Sequence, residues 1–415
     1  MLWTNYESHD RTGNYVAFDY SYNILQSCEK DAILFTNGDN DTFPLWFLQY
    51  VHNIRPDVRV VNLSLLNTNW YIHQLKNDEP IIDIKMSAQS IENIQPQPWK
   101  TSTVTIPVNR AKYDEYYAMV VRVDSTVRYE DKPEMRFEVK PTLYSQALRV
   151  QDLMILKILQ DNQFKRPVYF AVTVSPQNKI GLDPYMRMDG LAFRVMPVKV
   201  DRRFVDPDIM WTTLDKKFKY RNLDNPDVYY NDNIISLLQN YRSAFFQLAQ
   251  FYLYKKDNEK ALVVLDRMSE AIPEDVIAPN DIRIAEAIGY MYSQAGKPEE
   301  MDKRYLASLN NHGAAMTPKQ KLEFAGYFNY RNKTELAESL ALSIIAEDPD
   351  QGEAYYWLGR FYNSHNRRDE AIKILEEFLE QNPNDTRARL DLDVMKRARA
   401  RIDTSSAASS TGEGQ

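Results

Sequence analysis

The stretch Asn37-Gly38-Asp39-Asn40-Asp41-Thr42 gathers more ligating and hydrogen-bonding side chains than any other in the chain. Asp39 and Asp41 set two carboxylates on a turn that opens into a helix. Such hard oxygen donors suit a divalent cation, with Asn37, Asn40 or Asn67 completing the shell. The pair is also an Asp-x-Asp, the type that coordinates a metal–nucleotide-sugar in some glycosyltransferases. A structural reading accounts for the same residues: Asp41 or Thr42 caps the helix, Gly38 and Asp39 make the turn, and the asparagines tie the loop backbone together. The residues alone leave both readings open. A second polar segment, Asn67-Thr68-Asn69-Trp70, is followed by His73.

The flanking sequence says which elements must hold these residues. Ala32–Asn37 (AILFTN) is a short apolar run ended by Gly38, and Phe43–Ile54 has helical length with Pro44 near its start, where a missing N–H is tolerated. Val58–Leu66 reads as a second strand, with a helix expected from about Asn69. Strand, helix, strand at this spacing is a βαβ unit with parallel, buried strands. An apolar helix over Tyr144–Gln160 leads into a third strand, Val168–Val174. In an open α/β sheet ligands bind beyond the carboxyl ends of the strands. The candidate ligand-binding residues are therefore Asn37, Gly38, Asp39, Asn40, Asp41, Thr42, Asn67, Trp70 and His73, with Asp39 and Asp41 as the candidate metal ligands. Between the second and third strands, Ile81–Pro141 has alternating runs, Val104–Val108 and Tyr117–Val123, and reads as a β-rich insertion.

From Asn231 the pattern becomes helical and repeats. Tyr355, Leu358, Gly359, Tyr362, Ala371, Leu375 and Pro383 fit a tetratricopeptide register; so do Phe245, Leu248, Ala249, Tyr252, Ala261, Leu265 and Pro273, and Phe324, Ala325, Phe328, Ala337 and Pro349. Ile288, Gly289 and Tyr292 mark a degenerate unit between them. The small residues 249, 289, 325 and 359 lie 40, 36 and 34 apart, against about 34 for the motif. Each is expected where two helices cross closely, within a stack of four pairs whose inner face suits a peptide or partner helix. The expected organisation is an α/β domain over 1–200 with its insertion at 81–141, a linker at 201–230, helical repeats over 231–402, and a disordered tail at 403–415.

Composition excludes several classes. The 415 residues carry 51 Lys and Arg against 58 Asp and Glu, a net charge of −7, so nucleic-acid binding through a broad basic face is not expected. A single cysteine, Cys28, precludes an internal disulfide and any Cys-based zinc cluster. The first βα turn has one glycine where a dinucleotide fingerprint needs three, and no G-x-S-x-G is present. No apolar run approaches the ~18–20 residues that cross a bilayer, and the first fifteen residues have no signal-peptide pattern. Of the five histidines, His73 alone lies near the strand ends. The aromatic runs Tyr15–Tyr22 and Tyr355–Tyr362 read as packing faces.

Taken together, His9–Tyr15 (HDRTGNY), Ala32–Leu48 (AILFTNGDNDTFPLWFL), Val58–Tyr71 (VRVVNLSLLNTNWY) and Lys165–Val174 (KRPVYFAVTV) resemble the soluble C-terminal portion of a bacterial multi-pass membrane protein family. That family, long labelled a domain of unknown function, is related to transmembrane protein O-mannosyltransferases that end in tetratricopeptide repeats. The resemblance implies a chain beginning just after the last membrane span, as an excised segment, a split gene product or a truncated homologue. It also implies a place on the periplasmic face of the inner membrane, beside a membrane-embedded part that performs glycosyl transfer. It assigns no catalytic residue here; the Asn37–Pro44 loop matches the family motif without a transferable role. The leading expectation is a non-catalytic accessory portion whose repeats hold an acceptor protein or partner. The alternatives are a stand-alone α/β domain that binds a divalent metal and a sugar or phosphorylated ligand, and a scaffold that acts through its repeats alone.

Overall fold

The computed structural model describes residues 9–200, 204–313 and 316–410. They form two compact units, Met1–Lys297 and Pro298–Gln415. In the first, helix α1 (Val16–Gln26) precedes strand β1 (Ile33–Thr36), helix α2 (Asp39–His52), strand β2 (Arg59–Asn62) and helix α3 (Asn69–Asn77). The sheet is completed by β7 (Val168–Ala171), β8 (Met186–Met188) and β9 (Ala192–Val195), in the order β2-β1-β7-β9-β8. β1 pairs parallel with both β2 and β7, with Ile33 opposite Arg59 and Val168. β9 and β8 extend the sheet antiparallel. All four residues of β1, of β2 and of β7 are buried, which is why these strands read as apolar runs, with Thr36, Arg59 and Asn62 the buried polar residues at their ends.

The insertion at 81–141 is mixed, not β-rich. It holds helix α4 (Ala88–Glu92), short β3 (Gln97–Pro98), β4 (Ser102–Pro107), helix α5 (Arg110–Val123) and β5 (Glu134–Val139). β4 and β5 pair antiparallel, and β3 pairs with β6 (Ala147–Leu148). The expected strand at Tyr117–Val123 is the second half of α5: Asn109 caps that helix at Lys112 N, and Tyr113, Tyr116 and Val120 form its buried stripe. Helix α6 (Val150–Asn162) starts later than expected, because Tyr144 and Ser145 have positive φ and turn the chain.

The stretch expected as a linker is part of the first unit's core. Helix α7 (Pro207–Trp211) runs on as a π-helical turn to Lys217, burying Met210 and Leu214, and Phe218 follows it into the interior. Tyr220 meets the Tyr241 and Phe245 rings of helix α8 (Asp232–Tyr254), and Tyr241 accepts a 2.7 Å bond from Asn23 of α1. Helix α9 (Asn258–Ala271) and helix α10 (Ile282–Gln294) follow in the same unit. The compact boundary therefore falls at 297/298 and not at 231, because aromatic rings carry the first repeat helices onto the α/β core.

The second unit is all helical: α11 (Pro298–His312), α12 (Pro318–Tyr330), α13 (Thr334–Glu347), α14 (Gly352–Ser364), α15 (Arg368–Gln381) and α16 (Thr386–Ser410). α16 covers 403–410, within the stretch expected to be disordered; 411–415 lie outside the described residues. The turns show why the repeat register was visible. Asn332 and Asn366 take a left-handed conformation, and the next N–H closes back on Phe328 O and Tyr362 O at 2.8 Å. Lys256 and Gly296 do the same in the first unit. Gly359 permits a close crossing, since a Cβ there would stand 3.2 Å from Leu375.

Candidate functional site

The loop after β1 begins one residue beyond Thr36, and Gly38 is the N-cap of α2, with no side-chain cap. The helix thus starts at Asp39, four residues earlier than expected. Asp39 and Asp41 sit in its first turn, where the helix dipole favours carboxylates, and Pro44 falls inside the helix.

Thr42 is the hub. Its hydroxyl donates to Gly38 O at 2.7 Å, lies 2.7 Å from the Thr36 hydroxyl and accepts from Asn62 Nδ2 at 3.1 Å. Thr36, Thr42 and Asn62 are fully buried. Asn62 also receives Leu65 N on its Oδ1, so the ends of β1 and β2 and the start of α2 are locked together. Asp41 is engaged as well: its Oδ2 accepts from Thr173, beyond β7, at 2.7 Å and from Asn37 N at 3.2 Å. Asn37 Oδ1 accepts from Asn178 at 2.7 Å, and Asn178 Oδ1 accepts from Arg149 at 2.9 Å. Arg149 in turn grips buried Asp152 through two nitrogens. Ser64 Oγ donates to Asn37 O. One polar network therefore joins the carboxyl ends of all three parallel strands.

The structure sorts the expected residues. Asn37, Gly38, Asp41 and Thr42 belong to this network, while Asp39 and Asn40 are exposed at its rim. Asn67 exchanges two hydrogen bonds with Gln151, through Gln151 Oε1 and Gln151 N. Trp70 stands 57% exposed with its ring edge-on to Tyr71. His73 is paired with Glu92 of α4 at 2.9 Å. Among the described residues no group of three or more His, Cys, Asp or Glu side chains is placed to hold a metal ion. Asp39 and Asp41 gain no third carboxylate or imidazole, and one Asp41 oxygen is already shared by two donors. The sequence reading missed Asn62, Thr173, Asn178 and Arg149; the asparagine closing the apolar run RVVN was the one signal available.

A cleft of about 110 Å³ lies beside edge strand β2, lined by Trp46, Tyr50, Arg59, Tyr71, Gln74 and Glu79 among others, none of them an expected site residue. Burial pushes the Tyr71 hydroxyl up to about 12, although it accepts from Asn62 N.

The repeat hairpins carry a recurring polar clamp that spacing alone did not suggest. In the first unit Tyr292 and Lys297 hold Asp266. In the second, Tyr327, Arg331 and Lys333 hold Asp302, and Tyr362 and Arg367 hold Glu338. The acids 266, 302 and 338 lie 36 apart. Burial pushes Asp302 upward, but hydrogen bonds from Tyr327, Arg331 and Lys333 outweigh it and hold the carboxyl below its ordinary range.

These features define an α/β domain joined to tetratricopeptide-type helical hairpins. Residues 17–98 and 78–214 match the family described as TMEM260-associated domain 2, and residues 331–392 match the tetratricopeptide repeat. Over 80 residues the chain is 30% identical to the protein O-mannosyl-transferase TMEM260 of Mus musculus, covering 19% of this chain and 11% of the mouse protein's length. The chain thus carries a region similar to TMEM260-associated domain 2 and, C-terminal to it, a region similar to the tetratricopeptide repeat, consistent with the relation its sequence motifs implied. Among solved structures, Pseudomonas aeruginosa pilF is 20% identical with a TM-score of 0.24, covering 42% of this chain and 77% of its own. A tetratricopeptide repeat protein from Parabacteroides merdae is 20% identical with a TM-score of 0.29, covering 39% and 61%. At these values neither likeness says anything of function.

Proposed function

We propose that this chain is an extracytoplasmic, non-catalytic accessory portion of a protein O-mannosyltransferase-related membrane protein, with its repeats holding an acceptor protein or partner. The observation that carries this reading is the union, on one chain, of a TMEM260-associated domain and tetratricopeptide repeats. Its partners are the membrane-embedded part of the same protein or complex, which supplies glycosyl transfer, and a protein or peptide seated on the helical hairpins. Its place is the periplasmic face of the inner membrane. The loop chemistry supports an accessory role, since the carboxylate of Asp41 is spent on tying Thr173 and Asn37 N to the helix start. No helix among the described residues is long and apolar enough to cross a membrane.

The test is made in the source cell. Removing residues 298–410 from the chromosomal copy is expected to reduce mannosylation of envelope proteins on a lectin blot, with the remaining chain still present at the membrane. The substitution Asp39→Asn is expected to leave mannosylation intact. Full mannosylation after the deletion, or its loss in Asp39→Asn with the protein level unchanged, refutes the reading.

A further inference from the structure

Helix α2 is apolar on two faces. Thr42, Leu45, Leu48 and Gln49 point into the core. The outward face repeats Phe43, Trp46, Phe47, Tyr50 and Val51 at the i, i+3, i+4, i+7, i+8 spacing of a second apolar stripe. Phe43, Phe47, Tyr50 and Val51 are 52%, 51%, 73% and 64% exposed. The three exposed rings alone present roughly 300–400 Å², taking ~150–250 Å² for a whole aromatic side chain. That is the scale of the largest apolar patch on ordinary monomers, which is often functional.

Aromatic contacts extend the stripe to a cationic edge. Phe47 and Phe18 both pack edge-on against His52, with centroids 5.0 and 5.4 Å away. Over Phe18 and Tyr22 lies the Lys219 ammonium, 4.0 Å from the Tyr22 centroid, and the Arg221 guanidinium lies over Tyr15 and Phe18. Arg221 is paired with Asp19, which is buried, and the carboxylates of α2 itself, Asp39 and Asp41, lie in its first turn, at the end away from His52. A patch of Phe, Trp and Tyr edged by cations, on a chain of net charge −7, has the chemistry of the headgroup level of a bilayer, where amphipathic rings and basic side chains reside. A second copy of the chain fits less well: a stable dimer needs about 800 Å² per partner, roughly twice this patch.

We propose that the outer face of α2 docks on an anionic lipid surface, with Phe47, Tyr50 and Val51 entering the headgroup region and Lys219 meeting lipid phosphates. This goes beyond the proposed function and stands apart from it, since vesicle binding tests only this face and not the repeats.

The experiment is co-flotation of the full chain with phosphatidylcholine vesicles and with phosphatidylcholine–phosphatidylglycerol vesicles. Binding is expected to the anionic vesicles, falling about tenfold or more in Phe47→Asp/Tyr50→Asp, while Tyr330→Asp, exposed in the second unit, has no effect. A Phe47→Ser/Tyr50→Ser pair, checked by circular dichroism, covers the event that the aspartates disturb the fold. Lys219→Glu is expected to abolish the preference for anionic vesicles. No binding to either vesicle, binding insensitive to both α2 pairs, or a dimer in sedimentation velocity that the α2 pairs dissolve while vesicles are not bound, each overturns the proposal.

Discussion

Replacing Thr42 by valine keeps the shape of the side chain and removes the hydroxyl on which the strand ends converge. That hydroxyl is saturated: it gives one hydrogen to Gly38 O and accepts from Thr36 and from Asn62. Gly38 O keeps Thr42 N at 3.0 Å, and the Thr36 hydroxyl has Val61 O at 3.4 Å as a weak second acceptor. Asn62 Nδ2 is left stranded at full burial. An orphaned buried donor costs about 1–3 kcal/mol and each further bond about 0.5–1.5 kcal/mol, so the expected loss is about 2–4 kcal/mol. For a unit of this size, at roughly 2 °C per kcal/mol, the melting transition should fall by roughly 4–8 °C. Thr42→Ser, which keeps the hydroxyl and loses a methyl, should fall by clearly less. Differential scanning calorimetry on the three proteins decides it. A valine variant melting with the wild type, or a serine variant melting below the valine, would refute the argument, because packing and not the hydroxyl would then hold the loop.

Further outcomes follow from other contacts. Arg367→Ala strips Glu338 of its bidentate partner at 2.6 and 2.9 Å, and because Arg367 is 36% exposed the expected cost is only about 1–2 kcal/mol by urea denaturation. The Arg367 hydrogen bonds outweigh burial and, with Tyr362, hold the Glu338 carboxyl below its ordinary 4.5. This stabilisation is fully present above that value and fades as pH falls through the lower folded value. Urea midpoints taken from neutral to acidic pH should therefore drop less steeply in Arg367→Ala than in the wild type; equal slopes would contradict the pairing. Gly181→Ala should destabilise the first unit by about 2–4 kcal/mol, since φ is +84° and a Cβ would meet Glu138 O at 2.2 Å. A neutral Gly181→Ala in thermal unfolding would show that the turn can shift.

Much of the architecture could be read from local pattern, because local pattern is what repeats and buried parallel strands impose. Ala249, Ala325 and Gly359 announce close helix crossings, and Ile33–Thr36, Arg59–Asn62 and Val168–Ala171 announce strands buried on both faces. Period misled where two periods coincide: Tyr117–Val123 alternates like a strand, yet Tyr113, Tyr116 and Val120 bury it as a helix. The residues 201–230 looked like a connector because prolines and charges interrupt them. Nothing local reveals that Phe218 and Tyr220 find Tyr241 and Phe245 to pack against.

The sequence by itself determined the βαβ order around the first two strands, the helical repeats and the polar loop after the first strand, since each depends on neighbours a few residues away. Only the tertiary structure decided what that loop does. Asp41 meets Thr173 across 132 residues and Asn37 meets Asn178 across 141, so a carboxylate that reads as a ligand in one dimension becomes a tie in three. The same holds for α2: the apolar residues of both faces are visible in the string, but which face stays in water is set by the sheet that covers the other.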